Sequence, residues 1–140
     1  MSHSIAPPPE VIALVCAALV QILAIALAGA VMNRDLGPKV NAGPRDQMPE
    51  GSVLLGRLRR AVNNGFEGLA LFTPAVLAVT LTGAGSLVTT GAAWLYVAVR
   101  LVYIAAYARG WAPWRSLIWA VGLLATLTLY GAVLLCAIFG

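Results

Sequence analysis

Apolar residues run almost without interruption through four stretches of the chain, near Val11 to Met32, Phe66 to Thr82, Leu87 to Ala108 and Leu117 to Phe139, and polar residues collect between them. A hydrocarbon core roughly 30 Å thick is crossed by about 20 residues of α-helix, so the pattern predicts four transmembrane helices. The second stretch is short on its own. Ser52 is placed to cap a helix that carries Leu54, Leu58, Ala61 and Val62 toward the membrane, which brings its length to about 30 residues and leaves Arg57, Arg59 and Arg60 on its cytoplasmic extension. Pro7, Pro8 and Pro9 delay the first helix to about Glu10, where the helix dipole favours a negative charge.

The connection from Asn33 to Ser52 is punctuated by Gly37, Pro38, Gly43, Pro44, Pro49 and Gly51 and predicts an irregular loop. Gly110 offers a C-cap to the third helix, and Pro113 suits the first turn of the fourth. The expected fold is an all-α membrane protein, a single domain over residues 1–140, built as a four-helix up-down bundle with one long and two short connections.

Composition agrees, with 61% hydrophobic and 10% charged residues and a mean hydropathy of +0.89, where a soluble domain carries about a quarter charged residues. The net charge of +4 is explained by topology rather than by nucleic acid. Arg34, Lys39, Arg45, Arg57, Arg59 and Arg60 fall between the first two helices, and Arg100, Arg109 and Arg115 surround the connection between the last two. The positive-inside rule therefore places the 33–52 loop in the cytoplasm and both termini outside. No basic residue precedes the first helix and its apolar run exceeds a signal peptide's, so it is expected to be retained.

Several chemistries find no support in the residues. His3, the single histidine, sits in the N-terminal tail, and no CxxC, metal-ligand cluster or Ser-His-Asp set is present. Cys16 and Cys136 lie within apolar spans and read as small buried hydrophobes. Glu67 is different: it is the carboxylate placed inside an apolar span, at a cost of about 2.5–3.5 kcal/mol on insertion scales, which makes it a functional-site candidate. Helical spacing puts Arg60, Asn64 and Glu67 on one stripe of the second helix, and Arg100, Tyr103 and Tyr107 on one stripe of the third. Arg115 and Ser116 open the fourth, where free backbone N–H groups favour an anion. Plainer roles stand beside these. Arg57, Arg59 and Arg109 read as interfacial anchors, Asn64 as interhelical glue, the two tyrosines as an aromatic belt, and Glu67 with Arg60 as a structural ion pair.

The same residues carry a resemblance. Arg60-Ala61-Val62-Asn63-Asn64-Gly65-Phe66-Glu67 resembles the R-A-x-x-N-x-x-E signature of the membrane-associated proteins in eicosanoid and glutathione metabolism, the MAPEG family. Leu71-Phe72 follows it, and Arg100, Tyr103 and Tyr107 with Ala112-Pro113-Trp114-Arg115-Ser116 are similar to a second family stretch. Gly43-Pro44-Arg45-Asp46 looks like bacterial members, which implies a bacterial inner membrane. The resemblance implies a homotrimer with glutathione, the co-substrate, bound between neighbouring subunits near the cytoplasmic face. It implies that Arg60 pairs with a glutathione carboxylate, that Asn64 bonds its backbone and that Glu67 accepts from its α-ammonium. Tyr103 and Tyr107 would line the pocket, Arg115 would hold the thiolate with Ser116 adjacent, and Arg34 would contribute from the neighbouring subunit. Two positions depart from the pattern: Ala70 and Leu71 stand where the family usually has proline, with Pro74 later, and Trp119 stands where some catalytic members have tyrosine.

The physical chemistry is consistent with those roles, because glutathione carries two carboxylates, an ammonium and a thiol that reacts as its anion. Two functional readings follow. One is a glutathione-dependent membrane transferase or hydroperoxide reductase acting on an apolar electrophile delivered by lipid. The other is a protein that binds a thiol or lipid without turnover, or an accessory subunit of a larger membrane assembly. A transporter would need broken helices or mid-bilayer charges, and the sequence offers little beyond Gln21 and Glu67.

Overall fold

The computed structural model describes residues 6–44, 46 and 48–140, so His3 and Arg45 lie outside the described residues. Four long helices form, α1 (Pro9–Leu36), α3 (Val53–Thr82), α4 (Leu87–Arg109) and α5 (Ala112–Phe139), with a short α2 (Pro38–Ala42) in the first connection. All four long helices are apolar and long enough to cross a membrane, and the molecule is an integral membrane protein.

The helix ends follow local chemistry. Pro9 opens α1, and the amides of Val11 and Ile12 bond to the Pro8 carbonyl. Ser52 caps α3 by accepting the Leu55 N–H at 3.2 Å. Gly83 and Gly110 end α3 and α4 in the left-handed conformation, at φ 71° and 72°, where a side chain would be strained. Ser86 and Thr89 form a reciprocal capping box at the start of α4. α3 remains helical through Pro74.

The first part of the 33–52 connection is more regular than its composition predicts. α1 runs on to Leu36, Gly37 turns the chain at φ 85°, and α2 folds back so that the Asn41 side chain donates to Asn33 at 2.8 Å. Asp35 closes the loop by accepting from the Ser52 amide at 3.1 Å and from the Ser52 hydroxyl. The end of α1 is thereby fastened to the cap of α3. Such a link joins positions 17 apart and leaves no local signature.

The four long helices alternate in direction, as expected. α3 and α4 form the middle of the bundle; α1 packs on one side of this pair and α5 on the other, and α1 does not meet α5. Small residues bring the helices close, with Ala13 and Ala17 from α1, Ala75 from α3, Ala92 and Ala93 from α4 and Ala125 from α5 all buried. Between them the rings of Phe72 and Tyr96 stack at 3.9 Å and 7°. Two polar side chains also tie α1 in. Gln21 donates to the Val62 carbonyl at 2.9 Å, and Glu10 accepts from the hydroxyls of Thr89 and Thr90 at 2.7 and 2.9 Å.

Glu10 is thus the buried carboxylate of the bundle, at 3% exposure, while Glu67 is exposed on the outer surface of α3. Glu67 lies within the apolar span of α3, as the sequence places it, with its side chain exposed at the surface of the subunit rather than buried in the bundle. Cys16 and Cys136 are half-buried rather than buried, and both are free. Leu81, Leu87, Leu124 and Leu134 stand exposed, and no span buries more than 39% of its most apolar stretch. A surface of this kind is stable only against lipid or another apolar surface.

Candidate functional site

The functional candidates gather at the basic end of the bundle, where α3 and α5 begin and α4 ends. Arg100 is the centre. Its side chain points from α4 toward α3 and donates to the Asn64 Oδ1 at 3.0 Å. Asn64 in turn reaches Glu67 Oε2 at 3.5 Å, the limit of a hydrogen bond. On its other side the Arg100 guanidinium lies 4.7 Å from the Tyr103 ring centroid. Tyr103 meets Tyr107 edge to face at 5.0 Å, and the Arg115 guanidinium lies 4.9 Å from the Tyr107 ring. Glu67, Asn64, Arg100, Tyr103, Tyr107 and Arg115 therefore form one continuous string across three helices.

Helical geometry explains the string. Arg100, Tyr103 and Tyr107 share the face of α4 turned toward α3 and α5, and Tyr103 is buried at 3% exposure while Tyr107 is half-buried. Pro113 starts α5 early enough to place Arg115 in its first turn, beside Tyr107. Arg100 is buried at 9% exposure, and among the described residues it has no carboxylate within ion-pair distance. Its charge is held by an amide oxygen and a π face instead.

A cavity of about 140 Å³ lies at the end of the string, walled by Arg57, Arg60, Arg115, Tyr107 and the Gly110–Ala112 turn. Three guanidinium groups and no carboxylate line it. Such a wall takes up carboxylates and other anions. Arg57 is more than the interfacial anchor expected from sequence: its guanidinium fits beneath Gly110, where a Cβ would come within 2.6 Å, and it donates to the Ala108 carbonyl at 3.5 Å. Arg59 faces the other way, toward the sulfurs of Met32 and Met48 at 3.6 and 3.7 Å. Arg109 lies over Trp111 at 5.3 Å.

Not every candidate joins the group. Arg60 is exposed on the cavity wall and is not ion-paired with Glu67 among the described residues. Arg34, 63% exposed, is paired with Asp35 at 2.8 Å on α1, the helix that does not meet α5. Ser116 is exposed and lines neither this cavity nor the next. A second cavity of about 110 Å³ lies between α3, α4 and α5 on the other side of Arg100, with Glu67, Leu71 and Trp119 at its exposed mouth.

Tyr96 was missed by the reading of the sequence, although its signal was present. It stands one turn before Arg100, so the polar stripe on α4 extends back to it. Its hydroxyl is buried and, among the described residues, without a hydrogen-bond partner.

Comparison with known proteins places the arrangement. No curated protein and no solved structure gives a match. The model of the MAPEG family matches residues 12–135, from the first turn of α1 to near the end of α5 and across every residue of the string. The chain therefore belongs to the MAPEG family.

Proposed function

We propose that this protein is a glutathione-dependent membrane transferase or peroxidase acting on an apolar electrophile or lipid hydroperoxide. The observation that supports this most is the adjacency of the three-arginine cavity to the string ending in Glu67. A tripeptide with two carboxylates and one ammonium needs cations at one place and an acid at another, joined by hydrogen-bonding groups. Arg60 pairs with a glutathione carboxylate, Asn64 bonds the peptide backbone, Glu67 accepts from the α-ammonium, and Tyr103 and Tyr107 line the site. Arg115, with Ser116 beside it, holds the sulfur as thiolate, since a cation next to a thiol favours its ionised form. In conjugation the thiolate attacks the electrophilic carbon, the C–S bond forms, and the leaving group departs with its electron pair.

The site is shared in a homotrimer in which a neighbour covers the outer face of α3 and brings its own Arg34. Exposure of Glu67 and Arg60 on that face supports this reading. The distribution of basic residues supports a bacterial inner-membrane orientation with both termini outside and the 33–52 loop cytoplasmic. Calorimetry with glutathione in detergent, beside a conjugation assay on a generic aromatic electrophile, tests the proposal. Micromolar to millimolar binding with turnover is expected, and absence of binding overturns it. Binding without turnover selects the second reading, a non-catalytic thiol or lipid binder, which the exposed position of Ser116 and the indole of Trp119 favour.

A further inference from the structure

Phe72 and Tyr96 stack as a pair, and a phenylalanine at position 96 would stack as well. The hydroxyl is therefore not required by packing. At 2% exposure, in a bundle surrounded by lipid, a phenol without a partner is unfavourable, because no bulk water reaches it. Space is kept for it. A Cβ at Gly68 would lie 2.6 Å from the Tyr96 oxygen and 3.6 Å from the Arg100 Cζ, so the glycine leaves room against bare α3 backbone for the phenol and, beside it, the guanidinium.

Tyr96 and Arg100 both line the cavity between α3, α4 and α5. Gly122 opens its far wall, where a Cβ would touch Val99 at 3.4 Å, and the Thr126 hydroxyl, whose proton goes to the Gly122 carbonyl at 3.1 Å, also lines it. Leu71 and Trp119 stand exposed at the entrance and give it an apolar side, opposite the carboxylate of Glu67. An occupant whose apolar body rests on Leu71 and Trp119 brings a hydrogen-bond acceptor to a floor where Tyr96 and Arg100 supply donors.

We infer that this cavity is a second binding site, which takes the oxygen-bearing end of an apolar molecule, a carbonyl or a hydroperoxide, with the Tyr96 hydroxyl as its hydrogen-bond donor. That the molecule is the electrophilic co-substrate rests on the proposed function; that the site binds such a molecule does not. Gly68 acts here as a positioning residue, since its lack of a side chain on the cavity wall is what makes room for the phenol.

The site is read directly through Trp119 at its mouth. A bromophenyl alkyl ketone and the bromophenyl alkane of equal length, titrated into the purified protein without thiol, quench Trp119 fluorescence when they bind, and Trp119→Phe isolates that signal from the other tryptophans. The ketone is expected to bind about tenfold more tightly than the alkane, and Tyr96→Phe to abolish the difference while leaving alkane binding unchanged. Equal binding of both ligands to the wild type, or a preference that survives Tyr96→Phe, overturns the inference. Gly68→Ala is expected to lose the preference as well, and a Gly68→Ala variant that retains it also counts against the site. Glutathione calorimetry on the same samples reports separately on the proposed function, so failure of either reading is recognised without the other.

Discussion

Arg100 is a buried cation whose partners are an amide and an aromatic ring, and this choice of partners shapes what its neighbours do. A carboxylate would neutralise it; Asn64 holds it in place instead and stands between it and Glu67. Glu67 is then expected to act on a bound ammonium in ground and transition states alike. Glu67→Gln should therefore weaken glutathione binding by roughly 10- to 100-fold, the range for one charge-assisted hydrogen bond, with kcat little changed at saturation. Calorimetry and steady-state kinetics measure the two effects. Arg115 acts on sulfur, so Arg115→Ala should leave binding within a few-fold and lower kcat. The variant's rate profile should move to higher pH, because the thiol loses the cation that favours its ionised form. At this scale the sequence was informative where residues fall on helical stripes, as with Asn64, Arg100, Tyr103 and Tyr107. It was silent on which side chains are left unpaired, since the isolation of the Tyr96 hydroxyl depends on Gly68 of another helix.

Helix boundaries were legible for a physical reason: each is set by a residue with a strong local preference. Ser52, Ser86, Gly83, Gly110, Pro9 and Pro113 act within a few positions of themselves. α2 and the Asp35–Ser52 link were not legible, because they depend on side chains that meet only after α1 and α3 are side by side. Glycines inside helices divide in the same way. A Cβ at Gly65 would collide with the Gln21 carboxamide, which cannot swing aside without giving up its bond to Val62. Gly65→Ala is expected to destabilise the bundle by about 1–3 kcal/mol, the usual cost of overpacking. Gly91 has nothing within 4 Å of the corresponding position. Gly91→Ala should be neutral or stabilising by up to about 1 kcal/mol, from helix propensity alone. Thermal unfolding of both variants in one detergent compares them, and an unfolding midpoint for Gly65→Ala at or above that of Gly91→Ala would refute the α1–α3 contact.

On the scale of the molecule, α1 and α5 flank the α3–α4 pair without meeting, which leaves exposed apolar surface on every side of the bundle. A C3 trimer is expected, with the outer face of α3 against the next subunit; native mass spectrometry in mild detergent should show it, and monomer alone would remove the shared site. Reporter fusions at the C-terminus should be active only outside the cytoplasm, as the basic end of the bundle requires. The fastening of Glu10 to Thr89 and Thr90 adds a consequence for biogenesis. The carboxylate leaves the ribosome 79 residues ahead of Thr89, and until then the first span has no partner for it. Insertion of the third span is thus the event that lets the first settle to its final depth. A nascent chain halted after Thr82 should leave Glu10 open to a water-soluble carbodiimide, and the completed chain should shield it.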